Sequence, residues 1–285
     1  MSRNKDRLGS KKPDTSAPPK MHHRDDGGGF SFVVPTEFVE LPSQGKFYPE
    51  GHPLHGEDSI EIRQMTAKEE DMLTSRTLLK KGVALDRVLS NLIADARLTS
   101  NDLLVGDRNA VLIAARVSGY GNEYHTSVSC PNCMSVQKYR FDLNHASVYH
   151  GDVDGGLEVV DNSDGTFTTQ LPRTQLNVTF RLLTGKSEKL FVDGLAADRK
   201  NKNQHERAVT RHLRSTLVSV NGNATSEAIN YTVENIPSLD SRHIRLAYKQ
   251  VAPDIDLTQH FVCENCDHEE QMEVPLTADF FWPDR

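Results

Sequence analysis

The sequence predicts an α+β protein made of two similar α+β halves that meet through a pair of Cys-x-x-Cys knuckles. Three observations predict it. An order of strand, helices and cysteine pair runs through the first half and returns in the second; the four cysteines of the 285-residue chain fall into two Cys-x-x-Cys pairs; and turn-forming residues separate the halves. The chain accordingly divides into an arm over 1–29, a first repeat over 30–145, a linker over 146–165 and a second repeat over 166–285. That length suits two domains of roughly 100 to 200 residues each.

Met1 to Gly29 is rich in Lys, Arg, Asp, Ser, Pro and Gly, buries too little apolar surface to offset the entropy of ordering, and reads as a disordered arm in which His22 and His23 are solvated. Phe32-Val33-Val34 with Phe38-Val39 opens the ordered part as a strand, followed by an irregular loop anchored by Phe47 and Tyr48. Ser59-Ile-Glu-Ile-Arg63 alternates as a half-buried strand, and Thr66-Ala-Lys-Glu69 has the capping-box spacing that opens a helix reaching about Lys81. Gly82 ends that helix, a second covers about Leu85 to Ala94, and Asp107 caps a third whose apolar face includes Val111, Leu112 and Ala115. The first helix is amphipathic and packs inward through Met72, Leu73, Leu78 and Leu79, with a partner-docking face as its sharper reading.

The second half repeats this order. Ile62-Arg-Gln-Met-Thr66 with Glu70 and Leu73 has its counterpart in Phe180-Arg-Leu-Leu-Thr184 with Glu188 and Phe191, 118 residues on. Asp107 to Arg116 leads to Cys130-Pro-Asn-Cys133, as Ser241 to Tyr248 leads to Cys263-Glu-Asn-Cys266, now 133 residues on. The second copy thus carries about 15 extra residues, assigned to the polar stretch between Asp198 and Thr232. Gly151-Asp-Val-Asp-Gly155-Gly156 and Asp161-Asn-Ser-Asp-Gly165 give the linker its turn formers, and they lack the ligand spacing and terminal Glu of a calcium loop.

Two residues between paired cysteines let one tight turn present both sulfurs to a tetrahedral ion. Cys130, Cys133, Cys263 and Cys266 are therefore assigned to one structural zinc, in the zinc-ribbon pattern of two hairpin knuckles flanked by strands at Tyr124 to Ser129, Ser135 to Phe141, His260 to Val262 and Gln271 to Val274. Four cysteines with none left over favour a closed site over a catalytic one with an open position. The alternatives are a redox disulfide within each pair, an iron-sulfur cluster, and two separate metal sites recruiting His125 with the first pair and His260 or His268 with the second.

The formal charge of −7 argues against a general nucleic-acid coat, and the arm has no apolar core of a secretory signal, so a reducing cytoplasm is expected. No stretch approaches the ~18 apolar residues of a membrane span. Phosphate-binding Gly-Lys-Ser/Thr loops, Gly-x-Ser-x-Gly elbows and His-Glu-x-x-His helices are missing from the sequence, which is read as non-enzymatic and without a small-molecule substrate. Phe280-Phe281-Trp282 carries the one Trp of the chain and is read either as an anchor in a partner's pocket or as a cover for the protein's own ribbon.

Phe38-Val-Glu-Leu-Pro-Ser-Gln-Gly-Lys-Phe-Tyr-Pro49, Ile62-Arg-Gln-Met-Thr-Ala-Lys-Glu-Glu-Asp-Met-Leu-Thr-Ser-Arg76 with Lys80-Lys-Gly82, and Asp102-Leu-Leu-Val-Gly-Asp-Arg108 followed by Cys130-Pro-Asn-Cys133 resemble the baseplate hub proteins of T-even-type contractile-tailed bacteriophages. The resemblance covers Phe32 to Leu143 best. It implies a late structural or assembly protein of the tail baseplate hub, made in the host cytoplasm, present in the virion tail or acting as an assembly chaperone. Its implied partners are other hub or tail proteins, the tape measure among them, and it implies no catalytic residues. The reading from a different class is a nucleic-acid-binding zinc ribbon: Lys138 and Arg140 favour it, and Glu264, Asp267, Glu269 and Glu270 oppose it.

Overall fold

The computed structural model describes residues 21–22, 31–32, 34–200, 207–275 and 278–281. By contacts the chain falls into two units, Met1–Thr36 and Glu37–Arg285. In the first, β1 (Met21–His22) pairs antiparallel with β2 (Ser31–Phe32). The rest of the arm expected over 1–29 lies outside the described residues.

The second unit starts within β3 (Thr36–Glu40), which pairs with β4 (Ser59–Arg63) in a two-stranded sheet whose alternation turns Val39, Ile60 and Ile62 into the core. The connecting loop is anchored, as expected, by buried Phe47 and Tyr48. It turns at Gly45, whose φ of +69° and close approach to the backbone of Leu54 and Glu57 leave no room for a side chain. Thr66 and Glu69 form the capping box of α1 (Ala67–Thr74). The single helix expected to Lys81 is broken at Ser75, which is extended at ψ 108°, before α2 (Arg76–Lys80). Thr74 precedes the break and donates its hydroxyl back to the Glu70 and Asp71 carbonyls; such back-bonding weakens a helix end. Helix α3 (Ala84–Leu92) stops earlier than expected because Ile93 leaves it to bridge Ile62 of β4.

Helix α4 (Val105–Tyr120) buries Val111, Leu112 and Ala115. Asp107 is not its cap, contrary to expectation. The helix starts at Leu104 without a side-chain cap, and Asp107 lies inside the first turn, buried. There it accepts from Ser43 N (2.9 Å), Ser43 Oγ (2.6 Å) and Tyr48 Oη (2.7 Å). The chain continues through β5 (Glu123–Ser129) and β6 (Val136–Asp142), a hairpin, to β7 (Ser147–Tyr149) and β8 (Val160–Asp161). The stretch expected as a linker is thus tied down: β7 pairs with β12 (Asp254–Asp256), and Asp152 N and Leu157 N both donate to Gln250.

Next come β9 (Thr166–Gln170), β10 (Asn177–Arg181), α5 (Gly185–Lys200), α6 (Ala208–Thr216), β11 (Leu217–Val220), α7 (Ser226–Asn235) and α8 (Ser238–Val251). The strands form one sheet in the order β11-β10-β9-β8. After β12 the described residues hold a second hairpin, β13 (Thr258–Val262) with β14 (Glu269–Glu273), and a short turn of helix at Ala278–Phe281.

Three local geometries occur once in each half. Leu217 follows α6 and partners Phe180 of β10, as Ile93 follows α3 and partners Ile62 of β4. Leu41-Pro42 and Leu171-Pro172 open turns that pass through a left-handed glutamine, Gln44 (φ 51°) and Gln175 (φ 59°), each returning its N–H to the leucine carbonyl. A buried aspartate in the first turn of α4 or α8 holds each turn: as Asp107 takes Ser43 N, Asp240 takes Arg173 N (2.8 Å) and Thr174 N (2.9 Å). Side chains of both halves share one contiguous core, with the Phe47 and Phe167 rings 5.4 Å apart.

Candidate metal centre

Each cysteine pair sits where its hairpin must reverse direction in few residues. Cys130 N donates to Ser135 O (2.9 Å) and Met134 N to Cys130 O (2.9 Å), with Met134 left-handed at φ 59°. The second pair repeats this: Cys263 N donates to His268 O (2.9 Å), Asp267 N to Cys263 O (3.0 Å), and Asp267 has φ 54°. The tight turn brings the two sulfurs of a pair to the same side.

Side-chain to backbone bonds dock one hairpin on the other. Gln137 donates to Val262 O (3.2 Å) and accepts from Glu264 N (3.0 Å), Tyr139 Oη donates to His260 O (3.0 Å), and Gln259 brackets Asp142 through both its N–H and its carbonyl. The Tyr139 ring fills the gap, 4.9 Å from Phe141 and 5.1 Å from Phe261.

The result is a cluster of four sulfurs, all within 4.8 Å of one another. Across the hairpins Cys130 Sγ lies 3.8 Å from Cys266 Sγ and Cys133 Sγ 3.7 Å from Cys263 Sγ. A tetrahedral ion with metal–sulfur bonds of about 2.3 Å sets its sulfurs roughly 3.8 Å apart, whereas a disulfide needs about 2.05 Å. The four cysteines are free thiols spaced so that they could hold one metal ion. Cys130 and Cys263 are buried; Cys133 and Cys266 are half-buried on the solvent side. The Ser135 hydroxyl, 3.0 Å from Cys133 Sγ, together with the Ser135 backbone and the Asn265 amide, lowers the Cys133 thiol to about 5, whereas Cys266, despite the backbone hydrogen bond from His268, is raised to about 11 by desolvation and by its neighbours Cys133 and Cys263, since one thiolate disfavours the next.

The histidines weighed as extra ligands face carboxylates: His125 and Glu123 are 3.6 Å apart, His260 and Glu269 3.6 Å, His268 and Glu270 3.4 Å. Glu264, Asp267 and Glu269 are exposed around the second knuckle. Phe280 and Phe281 are buried, with the Phe280 ring 5.2 Å from Tyr124 of the first hairpin, and Trp282 lies outside the described residues.

Sequence reasoning passed over two groups of residues. Asn132 and Asn265 each direct an amide at a sulfur of the opposite knuckle, and the shared Cys-x-Asn-Cys spelling was a visible sign of them. Arg116, fully buried on α4, gives its guanidinium to three carbonyls: Phe280 O (2.6 Å), Gly121 O (2.6 Å) and Glu123 O (3.0 Å). Nothing local marked it, since Phe280 is 164 residues away.

Fold and cluster together define a mixed α and β protein with paired cysteine knuckles able to close on a structural metal. A family model described as T4 bacteriophage base plate protein matches residues 34–282, and the chain belongs to that family. Membership supports a structural protein of a phage baseplate that interacts with other baseplate or tail proteins, and it suggests a place in the virion tail and a non-enzymatic role. Comparisons with curated proteins and with solved structures gave no match. No helix among the described residues is long and apolar enough to cross a membrane.

Proposed function

We propose that the protein is a non-enzymatic structural or assembly component of the baseplate hub, folded around one zinc ion shared by Cys130, Cys133, Cys263 and Cys266. The observation that carries this reading is that the family match spans residues 34–282, and with them all four cysteines of the sulfur cluster. An all-thiolate tetrahedron with no open position suits a structural zinc ribbon rather than catalysis.

The proposal includes an internal duplication, with halves over 30–145 and 166–285. It is supported by the two Leu-Pro turns held by Asp107 and Asp240, by the matched knuckle hydrogen bonds, and by the Ile62–Ile93 and Phe180–Leu217 pairings. The extra residues of the second copy would then be α7 and the lengthened segment from α5 to α6.

Two measurements test the reading. Native mass spectrometry of the full chain is expected to count one zinc per chain; two metals, or none, would overturn the shared site. Immunoblotting of host lysate and purified virions is expected to find the protein bound to hub or tail proteins, the tape measure being one to test. Retention in virions would make it a subunit, and loss from them an assembly chaperone. Binding to DNA that weakens with salt, with no tail partner, would instead favour the nucleic-acid reading.

A further inference from the structure

The two knuckles do more than offer sulfurs side by side. Asn132 of the first sends Nδ2 to Cys266 Sγ of the second (3.6 Å), and Asn265 of the second sends Nδ2 to Cys133 Sγ of the first (3.6 Å). The sulfurs that receive these amides, Cys133 and Cys266, are the two on the solvent side; the buried pair, Cys130 and Cys263, receives neither. Both asparagines are exposed, so their amides reach those sulfurs at the solvent edge of the cluster.

Four thiolates around a divalent ion leave a net charge of −2, and three acidic residues are exposed beside the second knuckle. An N–H donor at a thiolate withdraws part of that charge and occupies the lone pair at which a proton or an electrophile would attack. Resting on the shared four-sulfur site, we propose that Asn132 and Asn265 are reciprocal positioning residues that guard the metal against release, each protecting the exposed sulfur of the opposite half. Each exposed sulfur thus takes one donor set from its own knuckle, Ser135 at Cys133 and the His268 backbone at Cys266, and its side-chain amide from the opposite one, so the full set of donors forms only when both halves are docked.

The test uses the full-length zinc-loaded protein and a chromogenic chelator in excess. Asn132→Ala and Asn265→Ala are each expected to speed metal transfer about ten- to hundredfold, the usual range for loss of a group that supports a metal ligand. Asn132→Asp should be at least as fast, since it keeps the shape but replaces the donor by a negative charge. Val136→Ala, an exposed change beside the first knuckle, should leave the rate unchanged. Alkylation with iodoacetamide, mapped by peptide mass, gives the decisive readout. Loss of Asn132 should sensitise Cys266 first, and loss of Asn265 should sensitise Cys133 first. One bound zinc with unchanged rates, or sensitisation of the cysteine within the mutated knuckle, would overturn the guarding role alone. No zinc in the unsubstituted protein would overturn the site and this inference together.

Discussion

A buried carboxylate is costly unless donors surround it, and Asp107 and Asp240 use that requirement to hold turns distant in sequence. Burial raises the carboxyl of Asp107, and the hydrogen bonds from Ser43 and Tyr48 oppose that rise. Asp107→Ala should lower stability by about 1–3 kcal/mol, because Ser43 N and the Tyr48 hydroxyl lose their acceptor inside the core. Urea titration reads this directly, and an unchanged midpoint would refute it. Asp198 makes a pH-dependent contribution. Arg211, bidentate at 2.6 Å, holds its carboxyl down from the ordinary 3.8 to about 2. An acid depressed in the folded state stabilises fully above its unfolded pKa, and that stability is lost as pH falls through the folded value. The urea midpoint should therefore fall between about pH 4 and pH 2 with a shallower slope in Asp198→Asn, and equal slopes would count against the pair.

At the scale of elements, close approach decides more than propensity. A Cβ on Gly106 would collide with the carbonyl of Pro253, so the first turn of α4 lies directly on the chain entering β12. Gly106→Ala is expected to cost about 1–3 kcal/mol through overpacking, measured as a drop in melting temperature. Arg116 ties α4 to the turn at Ala278–Phe281 through planar contacts that a lysine cannot reproduce. Arg116→Lys should thus expose the segment after Val274 to limited proteolysis almost as readily as Arg116→Met. Elements set by neighbours in sequence were legible from it: the Thr66–Glu69 capping box, the alternation of β4, and the hairpins flanking both cysteine pairs. What was missed depends on residues far apart. The early end of α3 answers to Ile62, Asp107 reaches back 64 residues to Ser43, and β7 finds its partner strand in residues 254–256. The two cysteine pairs of the sulfur cluster were legible because the spacing within each pair is local, whereas the amides that reach across from Asn132 and Asn265 exist only once the two hairpins dock.

For the whole molecule, one core and one sulfur cluster draw on both halves, so stability should be shared rather than modular. Cys130→Ser and Cys263→Ser are each expected to abolish metal binding and to lower stability by several kcal/mol, in one cooperative transition. Metal counting with calorimetry checks this, and half-loaded protein with two transitions would mean independent modules. The separation of the knuckles also sets a clock. Cys133 and Cys263 are 130 residues apart, so at about 5–20 residues per second a ribosome needs about 7 to 26 seconds to deliver the second pair after the first. Through that interval the newborn first knuckle has two thiols and no tetrahedron. Under the proposed shared site, capture of an ion by all four thiolates therefore waits until the second pair has been made, and is a late event in the life of the chain.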